Sequence, residues 1–169
     1  MDLQEYLKAA PPTVAREEFG SGDLRFTVEF AFKRKTELEA MWKRVTKNVR
    51  MKNGQTRDEV DWDRLRGYLR DEVLRGWNGL TFGMFVRMCN LTVPNGALAD
   101  YADKPLEFEA IKDGRPTREN VTTALLELRG KVVNTDGEET MQTFEGWLLG
   151  RLADIADTHA RVEGLAKND

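Results

Sequence analysis

The chain has 169 residues, 40% of them hydrophobic and 33% charged, with a formal net charge of -3. That length suits a single domain, because a second core would be starved of apolar material, and the charge density excludes a membrane-spanning or low-complexity chain. The longest apolar runs, such as Trp147-Leu148-Leu149, fall far short of the roughly 20 residues that cross a bilayer, and MDLQEYLKAAPP has no basic segment leading into an apolar one, so a soluble chain without a secretory address is expected.

Residues 1–23, with Pro11-Pro12 and FGSGD, read as a flexible, turn-rich lead-in carrying at most one helical turn at Leu3 to Leu7. LRFTVEFAFKR follows, in which Phe26, Val28, Phe30 and Phe32 alternate with Thr27, Glu29, Ala31 and Lys33. Period two predicts a half-buried strand. A lone strand leaves its edges open, and LEFEAIKDG, with Leu106, Phe108 and Ile111, is the best partner within the chain, a second copy being the other.

Thr36-Glu37-Leu38-Glu39 has the pattern of a capping box and predicts a helix through Leu38, Met41, Trp42, Val45 and Val49 that stops at Asn53-Gly54. Thr56 and Glu59 repeat the start signal. Trp62, Leu65, Leu69, Val73 and Trp77 then fall on one helical face that runs into EVLRGWNGLT, where glycines on either side of Trp77 predict a helix end with Gly76 or Gly79 at positive φ. Trp77 would anchor that corner.

TFGMFVRMCNL predicts a short buried helix closed by Val93-Pro94-Asn95-Gly96. Pro116-Thr117 opens a helix through Val121, Leu125 and Leu128 that stops at Gly130, and NTDGEET reads as a hairpin-like or open loop. Thr143 caps the last helix. Its residues Phe144, Leu148, Leu152, Ile155, His159 and Val162 form an apolar stripe near the 3.5-residue period of a coiled coil, so this helix packs along its length against something.

The inventory excludes much chemistry. Cys89 and His159 are each the only residue of their type, which removes disulfides, Cys/His zinc clusters and a serine triad with a spare histidine. His159 falls on the apolar stripe, and Cys89 sits in an apolar run where a thiol acts as a small hydrophobe. The acidic run Asp58-Glu59-Asp61-Asp63 lacks a second ligand type, and carboxylates in a first helical turn complement the helix dipole. A divalent-metal enzyme built on that run is a remote reading. No catalytic, cofactor or metal site is expected, and the remaining tryptophans, Trp42, Trp62 and Trp147, fall on or beside apolar faces.

Between Arg25 and Lys52 nine basic residues face three acidic ones. The excess suits the solvated side of a helix, or a surface that meets the acidic half of a second copy. A nucleic-acid regulator using the basic 33–52 segment, through Arg34, Lys35, Lys43, Arg44, Lys47 and Arg50, is the alternative. It lacks the interleaved exposed aromatics that such surfaces carry.

Taken in order, Phe30-Ala31-Phe32-Lys33-Arg34 with Thr36-Glu37-Leu38-Glu39, then Val73-Leu74-Arg75-Gly76-Trp77-Asn78-Gly79, then Gly114-Arg115-Pro116-Thr117-Arg118-Glu119-Asn120-Val121 and the terminal helix resemble tail assembly chaperones of long-tailed bacteriophages. The match covers most of residues 25–169, and order and spacing carry it. Gly79 to Gly114 is longer than the family's interval, which places an inserted subdomain at 80–113. The resemblance implies a non-enzymatic protein without cofactors, working in the cytoplasm of the host bacterium. Such a protein coats the tape-measure protein, recruits tail-tube subunits, associates with itself in rings or spirals and is absent from the virion. Ala166-Lys167-Asn168 also permits the slippery codon run at which such genes shift frame.

The expected fold is mainly α (α+β): one helical domain over 24–169 with one short β-strand or hairpin near the N-terminus. Structural or partner-binding roles fall to Phe30, Phe32, Trp42, Trp77, Trp147, Leu148, Leu152 and Ile155, with the self-association surface on the terminal helix and the open strand edge.

Overall fold

A computed structural model describes residues 14–93, 96, 98–106, 124–134 and 136–167. In chain order the elements are β1 (Val14–Ser21), β2 (Leu24–Ala31), α1 (Lys35–Val45), β3 (Thr46–Arg50), β4 (Thr56–Val60), α2 (Trp62–Tyr68), a π-helical turn (Leu69–Val73), β5 (Leu74–Asn78), α3 (Phe82–Met88), β6 (Arg129–Val133), β7 (Glu139–Thr143) and α4 (Phe144–Lys167). Among the described residues the fold is α+β, with seven strands in three antiparallel sheets. This overturns the mainly helical expectation. Two compact units divide the chain: a sheet unit of Val14–Phe30 and Leu74–Leu149, and a hairpin unit that includes Ala31–Val73 and the described part of Gly150–Asp169.

In the sheet unit, β1 and β2 form a hairpin where a flexible lead-in was expected over 14–23. Near the end of β1, Gly20 has φ +95°, and a Cβ there would stand 1.9 Å from the Leu24 carbonyl oxygen, so only glycine fits. The sheet order is β1-β2-β5. Phe26, Val28 and Phe30 are buried as their alternation predicts, but β2 is the central strand. Both its edges are paired, so the open edge expected there does not exist. The proposed partner LEFEAIKDG is not that neighbour: the Leu106 N–H bonds the Leu80 carbonyl at 2.8 Å, while Phe108 and Ile111 lie outside the described residues.

β5 replaces the helix end expected at EVLRGWNGLT. Val28 pairs with Trp77, Glu29 with Gly76, and Phe30 with Leu74, which leaves Arg75 as the extra residue of a β-bulge. Residues three apart in a regular strand face opposite sides. The bulge instead turns Leu74 and Trp77 to the same face as Phe30 and Val28. Gly79 has positive φ, as one of the two glycines was expected to, and Gly76 does not.

The core of this unit is aromatic. Phe19 lies 5.8 Å from Phe26, and 5.2 Å from both Phe144 and Trp147, while Phe30 meets Trp147 edge-on at 6.2 Å. Tilted and edge-on rings at these separations add attraction beyond their buried area. β6 and β7 form a hairpin whose β6 strand packs on β1. Gly130 makes that contact: a Cβ there would stand 2.8 Å from the Phe19 ring and 3.2 Å from the end of Met88. The helix predicted from Pro116 lies mostly outside the described residues, and only 124–127 are seen as helix before Gly130 enters β6. Phe82–Met88 forms the short helix expected there, with Thr81 Oγ1 accepting from the Met84 N–H at 3.2 Å.

In the hairpin unit, α1 is capped at Arg34, two residues before the predicted cap Thr36. The Glu37 carboxylate accepts from the Arg34 N–H at 2.7 Å. The helix ends at Val45 rather than at Asn53-Gly54, because Thr46 takes the Trp42 carbonyl with its hydroxyl at 2.7 Å and the chain leaves in extended conformation. Asn53-Gly54 is then the tip of the β3–β4 hairpin, with Gly54 at φ +82° and the Gln55 N–H on Asn53 Oδ1 at 3.1 Å. Asn-Gly favours hairpin turns as well as helix ends. The second helix likewise starts later than Thr56: Asp61 caps it, accepting from the Arg64 N–H at 3.3 Å. Leu65, Leu69 and Val73 are fully buried, as the helical stripe predicts. The π-helical turn carries the last two directly into β5, so Trp77 lies beyond the stripe.

Thr143 caps α4, its hydroxyl oxygen accepting from the Gly146 N–H at 3.1 Å. Phe144 and Trp147 begin this helix in the aromatic core, and farther along, in the hairpin unit, Leu152 and Ala156 are buried.

Candidate partner-binding surface

The described residues hold no group of three His, Cys, Asp or Glu side chains able to bind a metal ion. The acidic run is instead used locally. Asp58 accepts from Asn48 Nδ2 at 3.1 Å, Glu59 pairs with Arg57, and Asp61 both caps α2 and pairs with Lys47 at 2.7 Å. The Lys47 hydrogen bond, followed by the Arg64 N–H, holds the Asp61 carboxyl below the usual carboxylate range. These carboxylates are held by hairpin and helix partners.

Cys89 donates its thiol to the Ala124 carbonyl at 3.5 Å. Burial, with a contribution from Glu127, pushes that thiol from its ordinary 9.0 up to about 11. A thiolate is the nucleophilic form, so the site is built against reactivity. His159 packs on Phe32, ring centres 5.0 Å apart, and its Nε2 lies 3.7 Å from Glu163.

The residues assigned to structure or partners separate by burial. Phe30, Trp147, Leu148 and Leu152 are buried within the chain. Ile155, Phe32 and Trp77 are half-buried. The Trp77 indole N–H donates to the Leu106 carbonyl at 2.5 Å. Trp42 is 38% exposed, and Trp62, placed by its periodicity on a buried face, is 51% exposed. Met51, near the tip of the β3–β4 hairpin, is exposed as well.

The hairpin unit therefore presents two indoles to solvent. Both sit near helix ends that the sequence misplaced: α1 stops one turn after Trp42, and α2 begins at Trp62 itself. Nearby, α1, α2 and the π-helical turn enclose an open groove of about 240 Å³, lined by Met41, Val45, Tyr68, Arg44, Arg64 and Glu72 among others. Arg64 Nη1 donates to the Arg44 carbonyl at 3.1 Å. Burial first, then the charges of Glu72 and Glu37, push the Tyr68 phenol up, and Lys33 Nζ lies 5.7 Å from its ring centre.

Several basic residues are already paired. Lys35 meets Asp157 at 3.3 Å, and Lys47 meets Asp61. Arg44 lines the groove, and no helix among the described residues is long and apolar enough to cross a membrane.

Comparison with protein-family models, with curated proteins and with solved structures found no match.

Proposed function

We propose that the protein is a non-enzymatic tail assembly chaperone of a long-tailed bacteriophage, acting in the host cytoplasm by holding the tape-measure protein and recruiting tail-tube subunits. The ordered phrases of FKR, Gly-Trp and Pro-Thr-Arg-Glu-Asn support this reading. The observation that carries it is that Trp62, 51% exposed, and Trp42, 38% exposed, belong to the same unit. Tryptophan is the residue most enriched at interface hot spots, and a side chain of that size left in water suits a client that covers it. An assembly chaperone needs such apolar handles and repeated weak contacts rather than a reaction centre.

Co-expression with the tape-measure protein of the same phage tests it. The wild-type chain should co-purify with that long helical client. Trp62→Ser and Trp42→Ser should each keep the circular dichroism of the wild type and weaken capture, since neither side chain is needed for the core. A wild-type chain that leaves the client insoluble and uncaptured overturns the proposal.

The exposed indoles also favour a second reading. The nucleic-acid alternative lacked exposed aromatics in the sequence, and Trp42, next to Lys43 and Arg44, supplies one on which a base could stack. Lys35 and Lys47 are engaged by carboxylates, which counts against a continuous phosphate track. Single-stranded DNA or RNA binding that weakens steeply with salt would favour this reading over the first.

A further inference from the structure

The β6–β7 hairpin has one face against the core and one in water. Its strands pair Arg129 with Thr143, Lys131 with Met141 and Val133 with Glu139. Gly130 turns inward to Phe19, so by the pleat the three pairs just named share the outer face. On that face Val133 is 54% and Met141 59% exposed. They are diagonal neighbours, close enough to form one apolar spot.

The hydrogen-bond phase of the hairpin fixes which backbone groups point away from it. Phe144 donates to the Leu128 carbonyl at 2.7 Å at one end, and Asn134 to the Glu138 carbonyl at 2.8 Å at the other. Counting by twos between these ends, Gly130 with Gln142 and Val132 with Thr140 are the hydrogen-bonded pairs. Glu139, Met141 and Thr143 therefore direct their N–H groups away from β6, and Glu139 and Met141 their carbonyls too. Among the described residues no strand pairs with β7 on that side. Among those residues it is an open edge, and its outward residues also carry the outer-face side chains.

We infer that β7 pairs antiparallel with β7 of a second copy of this chain, about a two-fold axis through Met141. The edge is self-complementary in that register. Met141 meets Met141 of the second copy and exchanges both backbone hydrogen bonds with it, while Glu139 lies opposite Thr143 of the second copy. No like charges meet. Across the outer face the row reads Val133, Glu139, then Thr143 and Arg129 of the second copy, so each carboxylate faces a guanidinium two strands away. At a strand spacing of about 4.8 Å the long arms of Glu and Arg span that gap. In the next row the two methionines sit at the centre and the two Lys131 residues at the outer ends, as far apart as the four strands allow. The arrangement closes on itself, and a two-fold pair has no further open β7 edge. It uses the sheet unit, whereas the client surface proposed above uses the hairpin unit, so either can fail without the other.

Sedimentation of the full-length chain over a concentration series tests the inference, together with hydrogen exchange of the β7 amides. A monomer–dimer equilibrium is expected, with the Met141 and Thr143 amides protected only at concentrations where the dimer forms. Met141→Pro removes an outward N–H and leaves the β6–β7 ladder intact, because that amide takes no part in it. It should raise the dissociation constant at least about tenfold, the scale of a lost hydrogen-bonded apolar pair. Glu139→Lys should also weaken the dimer, by setting a lysine against Arg129 of the second copy. Combining it with Arg129→Glu should restore the affinity, which a general loss of stability would not allow. A chain that is monomeric throughout overturns the pairing. So does a dimer indifferent to these changes, or β7 amides protected equally in dilute monomer, which would mean that the edge is covered within one chain.

Discussion

The indole N–H of Trp77 donates to the carbonyl of Leu106, 2.5 Å away across 29 positions of sequence. One side chain thus fastens β5 to the segment that returns alongside Leu80. Trp77→Phe keeps most of the ring and loses the bond, so it should cost about 1 kcal/mol in chemical denaturation. Trp77→Ala removes a half-buried ring as well and should cost about 2 to 3 kcal/mol, below the cost for a fully buried tryptophan. Equal losses for the two variants would mean that the hydrogen bond, not the ring, dominates.

Gly130 is required by the Phe19 ring rather than by its own backbone angles. An added methyl at 2.8 Å meets a ring wedged among Phe26, Phe144 and Trp147, which has no free direction to move. Gly130→Ala should therefore lower stability by about 1 to 3 kcal/mol, the usual range for overpacking. Phe19→Leu in the same chain should recover part of that loss. A neutral Gly130→Ala would show that the hairpin can lift off β1 at little cost.

Cys89 should resist alkylation in the folded protein. With its thiol pushed up to about 11 from 9.0, the thiolate fraction near pH 8 falls about 100-fold below that of an ordinary cysteine. Iodoacetamide should label it slowly until denaturant is added. The linkage runs the same way: protonation favours the fold, so this contribution is complete below the ordinary value and is lost as pH rises through the folded one. Fast labelling under native conditions would contradict the raised thiol pKa.

Asp61 has the opposite sign. Lys47 and the Arg64 N–H lower its pKa below 3.8, so ionisation favours the fold. That stabilisation is present above the ordinary carboxylate value and fades as pH falls through the lowered one. Asp61→Asn keeps a side-chain oxygen for the cap but loses the charge. Its denaturation midpoint should fall less than the wild-type midpoint between about pH 5 and pH 2, the window over which such a carboxylate titrates. An identical acid slope in the two proteins would assign the acid sensitivity to other groups.

What could be read from sequence depended on whether one pattern had one physical solution. Phe26, Val28 and Phe30 alternate, and alternation has little meaning besides a strand. Thr143 before Phe144-Glu145-Gly146 gave the last helix its start, and Leu65, Leu69 and Val73 were correctly placed on a buried stripe. Asn53-Gly54 had two solutions. It ends helices and turns hairpins, and the choice depends on pairing between Thr46–Arg50 and Thr56–Val60, which no local window contains. At EVLRGWNGLT the apolar residues Leu69, Val73 and Trp77 keep helical spacing, yet a π-helical turn and a bulge absorb the change to β structure without a loop. The candidate partner surface was least legible of all, because the exposure of Trp62 follows only from where α2 begins. The outer face of β6–β7 was hidden by reading Gly130 as a helix stop.

The four tryptophans divide between the two units: Trp42 and Trp62, both exposed, belong to the hairpin unit, and Trp77 and Trp147, half-buried and buried, to the sheet unit. The protein therefore carries its own two-channel optical reporter. Iodide should quench the red-shifted emission of the first pair and leave the second, so the fraction of light accessible to quencher tracks one unit. Emission that shifts to longer wavelength on denaturation tracks the other. Any disagreement between the two signals would reveal units that unfold separately, without labels or mutations.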